Sequence, residues 1–525
     1  MNRNHTRARL TSGAALLGTA ALIAAAATVV PASADDDAAG RPTARHEANG
    51  SVRGVMDHLI ELEEIGDRHG GRASGTPGYE ASRDYVVKRL SRAGYRPQVQ
   101  EFDFPFFQQL GPSSFEVTAP TPRTFEEGVD FSTLEYSGAG DITAPVEGVD
   151  LALVTPADST SGCEDADFAG FTAGNIALVQ RGVCTFGEKA TNALEAGAVA
   201  VIVMNQGNTP ERSVLLENVT LGGPVGLPVI GVSFADGQAL DADGTIAHVV
   251  TDTQSEIATT WNVTAETRGS RQNVVMAGAH LDSVVGGNGI NDNGSGSAAL
   301  LETAEAVADM KRTPNNKVRF AWWGAEENGL LGSEHYVAEM AENQPGKFQN
   351  IALYLNFDMV GSPNYMLGVY DGNNDAFPPE ESATAPEGSA AIEKMYARFF
   401  DKIGTGSVET AFSGRSDYGP FIALNVPAGG LFTGAEGVKS EEEAELFGGT
   451  AGEAYDSCYH QACDDLGNVS RAALKANTAA IMHSVTKYAR STRTVNGDRT
   501  GHEVPPAPAR SKATDHHHGA PKAAR

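Results

Sequence analysis

The residues of this chain best suited to chemistry stand at the ends of apolar runs. Residues 273–293 read NVVMAGAHLDSVVGGNGINDN, an apolar stretch that stops at His280 and Asp282 before a Gly-rich loop delivers Asp292. Residues 317–327, KVRFAWWGAEE, form a second β-rich run that stops at the adjacent Glu326 and Glu327. A third, IALYLNFD, closes on Asp358, and far downstream His460 stands in CYHQAC between Cys458 and Cys463. Side chains at the carboxyl ends of buried strands lie where open α/β sheets bind ligands. One acid after a strand is usually a cap or turn residue. Two histidines and three carboxylates from four separated segments are a different matter, because these N and O donors suit a pair of zinc ions sharing one carboxylate.

The elements that must position these residues can be read from periodicity. Residues 56–65 and 79–93 have helical spacing, the latter ending at Gly94, and the turn-rich GGRASGTPG lies between them. RPQVQEFDF then alternates like a strand. After the ligand-bearing runs, residues 297–310, 390–403 and 471–489 again carry apolar residues at helical spacing. Strand, helix, strand order predicts an α/β sandwich on a mainly parallel or mixed sheet.

HLDS, GINDNGSGSAALLE, WWGAEENGLLGS, NFDMVG, GRSDYGPF and CYHQACDD together resemble the motifs of the secreted bacterial co-catalytic zinc aminopeptidases, over about residues 52–488. The resemblance implies a zinc-exopeptidase three-layer sandwich with a mixed central sheet, and peptide substrates that lose their amino-terminal residue. It assigns one zinc to His280 and Asp358, the other to Glu327 and His460, with Asp292 bridging both. It leaves calcium open as a further ion. Asp282 would accept from the second imidazole nitrogen of His280. Glu326 diverges from its neighbour Glu327, as consecutive side chains do, and a free carboxylate beside the metals meets the needs of a general base. Carried over from CYH and GRSD, Tyr459 would donate to the carbonyl oxygen as charge develops, and Arg415 would hold substrate or intermediate. Met359 and Phe432 are expected in the wall of an apolar side-chain pocket, although core packing accounts for them equally well. Tyr418 departs from the family, which often has histidine there, so substrate contacts are expected to differ locally.

From about residue 114 the chain changes to short β-like segments around one helix at residues 187–196. GC at 162–163, ALVQRGVCTF and AVIVMN resemble a protease-associated domain, placed at roughly 125–255 as a β-rich insert in a peptidase domain of 49–124 and 256–492. Its position before the first ligand predicts packing at the rim of the site and a limit on substrate size, against the alternative of a passive insert.

Residues 1–34 read as a secretory signal: Arg3, Arg7 and Arg9, an apolar run, then Ala-Ser-Ala at 32–34. An uncleaved anchor is the alternative, but the core is short and lacks a stop-transfer flank. After cleavage no membrane association is expected. Export makes disulfides the default for the four cysteines, grouped as Cys163 with Cys184 and Cys458 with Cys463, against buried thiols. The tail 493–525, rich in Pro, Ala and charge, is expected to be disordered. The formal charge is −28, but residues 1–34 and 493–525 hold nine of the 39 basic and three of the 67 acidic residues, leaving 30 against 64, a net of −34. Such a balance excludes nucleic acid and anionic membranes as partners. The expectation is therefore a secreted, extracellular monomer that removes large apolar amino-terminal residues such as leucine. The alternatives are a carboxypeptidase or glutaminyl cyclase on the same fold, or an inactive receptor-like binding protein.

Overall fold

The computed structural model describes residues 44–154, 156, 159–310 and 313–502. The expected signal at 1–34 and the tail after 502 lie outside them. Two eight-stranded sheets organise these residues.

The first sheet is built from Gln98–Gln109, Thr253–Glu266, Asn316–Trp323, Ser270–His280, Ile351–Phe357, Ala428–Phe432, Gly368–Tyr370 and Val408–Thr410, in that spatial order. The four central strands, from Asn316–Trp323 to Ala428–Phe432, run parallel, while the first two pair antiparallel to their neighbours and Gly368–Tyr370 pairs antiparallel with Ala428–Phe432 and parallel with Val408–Thr410, so the sheet is mixed as expected. Strand alternation explains the three layers. Val275, Ala277 and Ala279 pack into one cluster with the helices Gly296–Ala308 and Arg471–Arg490, whereas Met276, between them, packs into the opposite cluster with Tyr336 and Phe421. With both faces covered, Ile351–Phe357 is buried at every position, which is why its sequence is an apolar run without alternation.

The second sheet holds Arg123–Phe125, Ser114–Ala119, Ile246–Thr251, Gly140–Gly148, Ile176–Gln180, Ala200–Met204, Val229–Val232 and Phe131–Thr133, with the helix Phe186–Glu195 beside it. It is an insert between two paired strands: Gln109 and Thr253, the last residues before and the first after it, are register partners in the first sheet. The expected boundary at 125 is therefore too late, because Ser114–Ala119 already pairs with Ile246–Thr251. The boundary at 255 is correspondingly too far along, since Thr253–Glu266 belongs to the first sheet.

The expectation of disorder from 493 is also corrected. The chain continues through a short helix, Arg493–Asn496, to His502. Val495 is buried, Asn496 Nδ2 and the Gly501 N–H both donate to Asn273 Oδ1 at 3.0 Å, and the His502 N–H donates to the Gln349 carbonyl at 2.9 Å. Composition misled here because the Pro- and charge-rich stretch that dominates the average begins after these anchored residues.

Candidate metal centre

Three neighbouring parallel strands end at the site. His280 is the last residue of Ser270–His280, Asp358 follows Ile351–Phe357, and Glu326 and Glu327 follow Asn316–Trp323 across a turn at Gly324 and Ala325. Ala325, Met359 and His460 each adopt positive φ (51°, 47° and 56°) beside or at a donor residue. Left-handed backbone is unfavourable for side chains with a Cβ, and its concentration here means that surrounding contacts impose it.

The donors meet around Asp292. His280 Nε2 lies 3.3 Å from Asp292 Oδ1 and 3.2 Å from Asp358 Oδ1. His460 Nε2 lies 3.3 Å from Asp292 Oδ2 and 3.0 Å from Glu327 Oε2. Each oxygen of one carboxylate thus faces a different histidine, and each histidine has a second carboxylate of its own. Glu326 turns away from Glu327 toward the first group, with Oε2 3.8 Å from His280 Nε2, farther than the two aspartate oxygens.

Backbone bonds aim these side chains. Asp282 was expected to accept from the second nitrogen of His280, yet the nearer acceptor for Nδ1 is the Asp282 main-chain carbonyl at 3.2 Å, the carboxylate being 3.7 Å away. The carboxylate instead accepts the Glu326 and Glu327 N–H groups at 3.3 and 3.4 Å, fixing both glutamates at once. Three further residues are not among the candidates that the sequence singles out, although Ser416 lies within GRSDYGPF and Asp464 within CYHQACDD. Ser416 donates to Asp358 Oδ2 at 2.5 Å. Asp464 binds the backbone of Asn291 and Asp292. Arg72, fully buried, donates to the carbonyls of Leu281, Asn288 and Gly289, bracing the loop between the first two donors. Only its place in the turn-rich GGRASGTPG, far upstream, could have marked it.

The charge balance tests whether a cation fits. Burial and the neighbouring Asp358, Asp417 and Glu327 push Glu326 well above the usual carboxylate range, against the pull of His280. Burial and Asp292 push Glu327 up to about 7. Burial would lower His280, but Glu326, Asp358, Asp282 and Asp292 outweigh it and hold the imidazole well above its ordinary value. Glu327 Oε1 is buried without a hydrogen-bond partner. Crowded carboxylates with an orphaned oxygen and two imidazoles turned toward them have more negative charge than side chains alone neutralise. His280 with Asp292 and Glu327, and His280 with Glu326 and Asp358, each bring their donor atoms within 4.8 Å of one another, and donors of these types fit zinc.

The donors open on a cavity of about 810 Å³. Met359 and Phe432 line it, as do Tyr370 and Tyr418. Phe432 also packs against the core cluster around Tyr354, so its expected packing and wall roles coincide. The Tyr418 hydroxyl accepts the Gly414 N–H at 2.9 Å, holding the loop that carries Arg415. Arg415 lines the cavity, but its guanidinium is engaged with Glu436 and the Tyr459 hydroxyl. Tyr459 stacks on His460 with ring centroids 3.8 Å apart, in a loop closed by the Cys458–Cys463 disulfide, and Cys163 and Cys184 are bonded in the insert. Among the described residues, none lining the cavity comes from the insert. The insert docks elsewhere, through Tyr136 and Ser137 onto the Gln98–Gln109 and Thr253–Glu266 strands.

Comparison with known proteins agrees with this geometry. Residues 262–485 match the family model of peptidase family M28, and residues 149–240 match the PA domain. An aminopeptidase of Pseudomonas aeruginosa is 49% identical over 449 residues, covering 85% of this chain and 82% of its own. Leucine aminopeptidase 2 of Trichophyton tonsurans is 40% identical, covering 84% of each. Among solved structures, the aminopeptidase from Aneurinibacillus sp. strain AM-1 aligns with a TM-score of 0.56 at 25% identity, over 87% of this chain and 96% of that one. BSAP, a zinc aminopeptidase from Bacillus subtilis, aligns with a TM-score of 0.54 at 25% identity, over 84% and 97%.

Proposed function

The chain belongs to peptidase family M28 and is a metallo-aminopeptidase, and from that premise we propose that it is an exported di-zinc enzyme favouring large apolar amino-terminal residues such as leucine. One zinc would be held by His280, Asp358 and Asp292 Oδ1, the other by Glu327, His460 and Asp292 Oδ2. The observation that carries this reading is the two-sided Asp292, with one oxygen 3.3 Å from each imidazole. When bound, a zinc pair polarises the scissile carbonyl and lowers the pKa of water.

The chain's own residues do the rest. Glu326 accepts a proton from the attacking water and returns it to the leaving amine. The Tyr459 hydroxyl donates to the substrate carbonyl oxygen as negative charge gathers there. Met359 and Phe432 receive the apolar side chain of the residue being removed. The leucine preference draws on the name of the Trichophyton relative. Export draws on the pattern of residues 1–34 and on the two disulfides, and no helix among the described residues is long and apolar enough to cross a membrane.

The test pairs substrate with metal content. Leucine 4-nitroanilide is expected to be cleaved, its N-acetyl counterpart spared, and fully active protein to contain two zinc ions per chain. Cleavage of the blocked substrate would rule out an exopeptidase that reads a free amine. Full activity with a single zinc would rule out the paired centre.

A further inference from the structure

Glu436 lines the cavity beside Arg415 and Tyr459 and has no part in the chemistry above. Its Oε1 accepts from Arg415 Nη1 at 2.7 Å, and Arg415 Nη2 donates to the Tyr459 hydroxyl oxygen at 3.1 Å. The direction of that second bond is fixed by chemistry. A guanidinium has five N–H donors and no acceptor, so the phenolic oxygen must be accepting. The single hydroxyl proton of Tyr459 is then left for another acceptor, in a cavity shared with Asp292 and Glu326.

Arg415 could not keep this arrangement unaided. Its side chain is 46% exposed and long, so holding one rotamer costs conformational entropy. The carboxylates of the donor set would also draw its charge toward them. Glu436 supplies a carboxylate that is not one of the donors. The three residues come from three separate loops, so the chain of bonds ties the segment before Tyr418–Ala423, the segment after Ala428–Phe432 and the disulfide loop together.

We propose that Glu436 is a positioning residue for the hydrolysis: by fixing Arg415, it keeps the Tyr459 hydroxyl oriented as a proton donor to the substrate oxygen. The inference rests on the role given to Tyr459 above. A double-mutant cycle on leucine 4-nitroanilide tests it and separates the two. Glu436→Ala should lower kcat about tenfold with KM changed by less than about twofold, because the lost interaction matters only as charge develops. Glu436→Gln, which keeps an acceptor for Arg415 but not the charge, should recover part of that loss. In a Tyr459→Phe background, Glu436→Ala should lower kcat no further. An unchanged kcat in Glu436→Ala, or the same loss with and without the Tyr459 hydroxyl, overturns the role of Glu436. Wild-type kcat in Tyr459→Phe alone overturns the role of the tyrosine, and the inference about Glu436 falls with it.

Discussion

Asp464 holds Asp292 by its backbone: the Asp292 N–H donates to Asp464 Oδ2 at 2.9 Å, while Oδ1 accepts the Asn291 N–H at 2.8 Å. Asp464 directly follows Cys463, so the disulfide loop that presents His460 is bonded to the segment that presents the shared carboxylate. Asp464→Asn leaves one acceptor oxygen for two N–H donors and turns an amide N–H₂ toward the other. Supporting residues of this kind typically contribute about 10- to 100-fold in metal affinity, and a drop of that size is expected in a zinc competition titration. An affinity indistinguishable from the parent would mean that the loop is held by other contacts.

Glu326→Gln is expected to remove most of the turnover and leave the zinc content intact. The substitution preserves size and hydrogen bonding but deletes the proton acceptor, and losing a general base costs roughly 10²- to 10⁴-fold in rate. Glu327→Gln should instead lower the zinc content, since Glu327 Oε2 sits 3.0 Å from His460 Nε2 in the donor set. Metal analysis run beside initial rates separates the two. Zinc loss in Glu326→Gln would mean that the roles are exchanged.

His280, Glu327 and Asp358 were legible in the sequence because each stands at the end of an apolar run, and burial on both faces of a parallel sheet forces such runs to be apolar throughout. Asp292 and His460 stand outside such runs and were legible only through their motifs. What aims the donors was not legible. Arg72 acts on carbonyls more than two hundred residues away, through bonds to Leu281 and Gly289 that leave no local pattern. Asp282 could be picked out, but not its work, because a carboxylate two residues past a histidine suggests an imidazole partner and gives no sign of the Glu326 and Glu327 N–H groups it binds. The insert boundary failed for a related reason. The change to short β-like segments comes at about residue 114, but it does not say which sheet Ser114–Ala119 joins; its pairing with Ile246–Thr251 assigns it to the second.

Opening the Cys458–Cys463 disulfide is expected to reduce activity more than global stability. The cross-link closes a loop with a sequence separation of 5, so the unfolded chain gains little freedom when it is cut. The folded loop, however, carries both Tyr459 and His460, and His460 is already held at positive φ. Replacing both cysteines by serine should lower kcat and zinc affinity while shifting Tm only slightly. A large fall in Tm with normal kcat in the folded fraction would show the bond to be a stability element only.

Removal of metal by 1,10-phenanthroline should abolish activity, and added zinc should restore it, because the side chains around Asp292 are donors and not themselves the electrophile. Full activity in protein shown by elemental analysis to be metal-free would exclude zinc-dependent hydrolysis.

A prediction away from the site concerns Glu302 on the helix Gly296–Ala308, whose Oε2 lies 3.7 Å from Nε2 of the buried His58. Burial, with Glu305 adding, raises Glu302 from 4.5 to about 7, while burial, with Arg89 adding, lowers His58 from 6.5 to about 3. Both groups are therefore neutral in the folded chain near pH 5 to 6. For Glu302 the folded chain binds its proton more tightly than the unfolded chain does, so its stabilising contribution is present below about 4.5 and is lost as pH rises to about 7. His58 acts in the opposite direction, its contribution falling away as pH drops below 6.5. Glu302→Gln keeps the neutral side chain at every pH. In zinc-saturated protein its Tm should exceed that of the parent at pH 8 by a few degrees, and the gap should close toward pH 4.5. A gap of equal size at both pH values would show that the substitution acts through packing and not through the ionisation of Glu302.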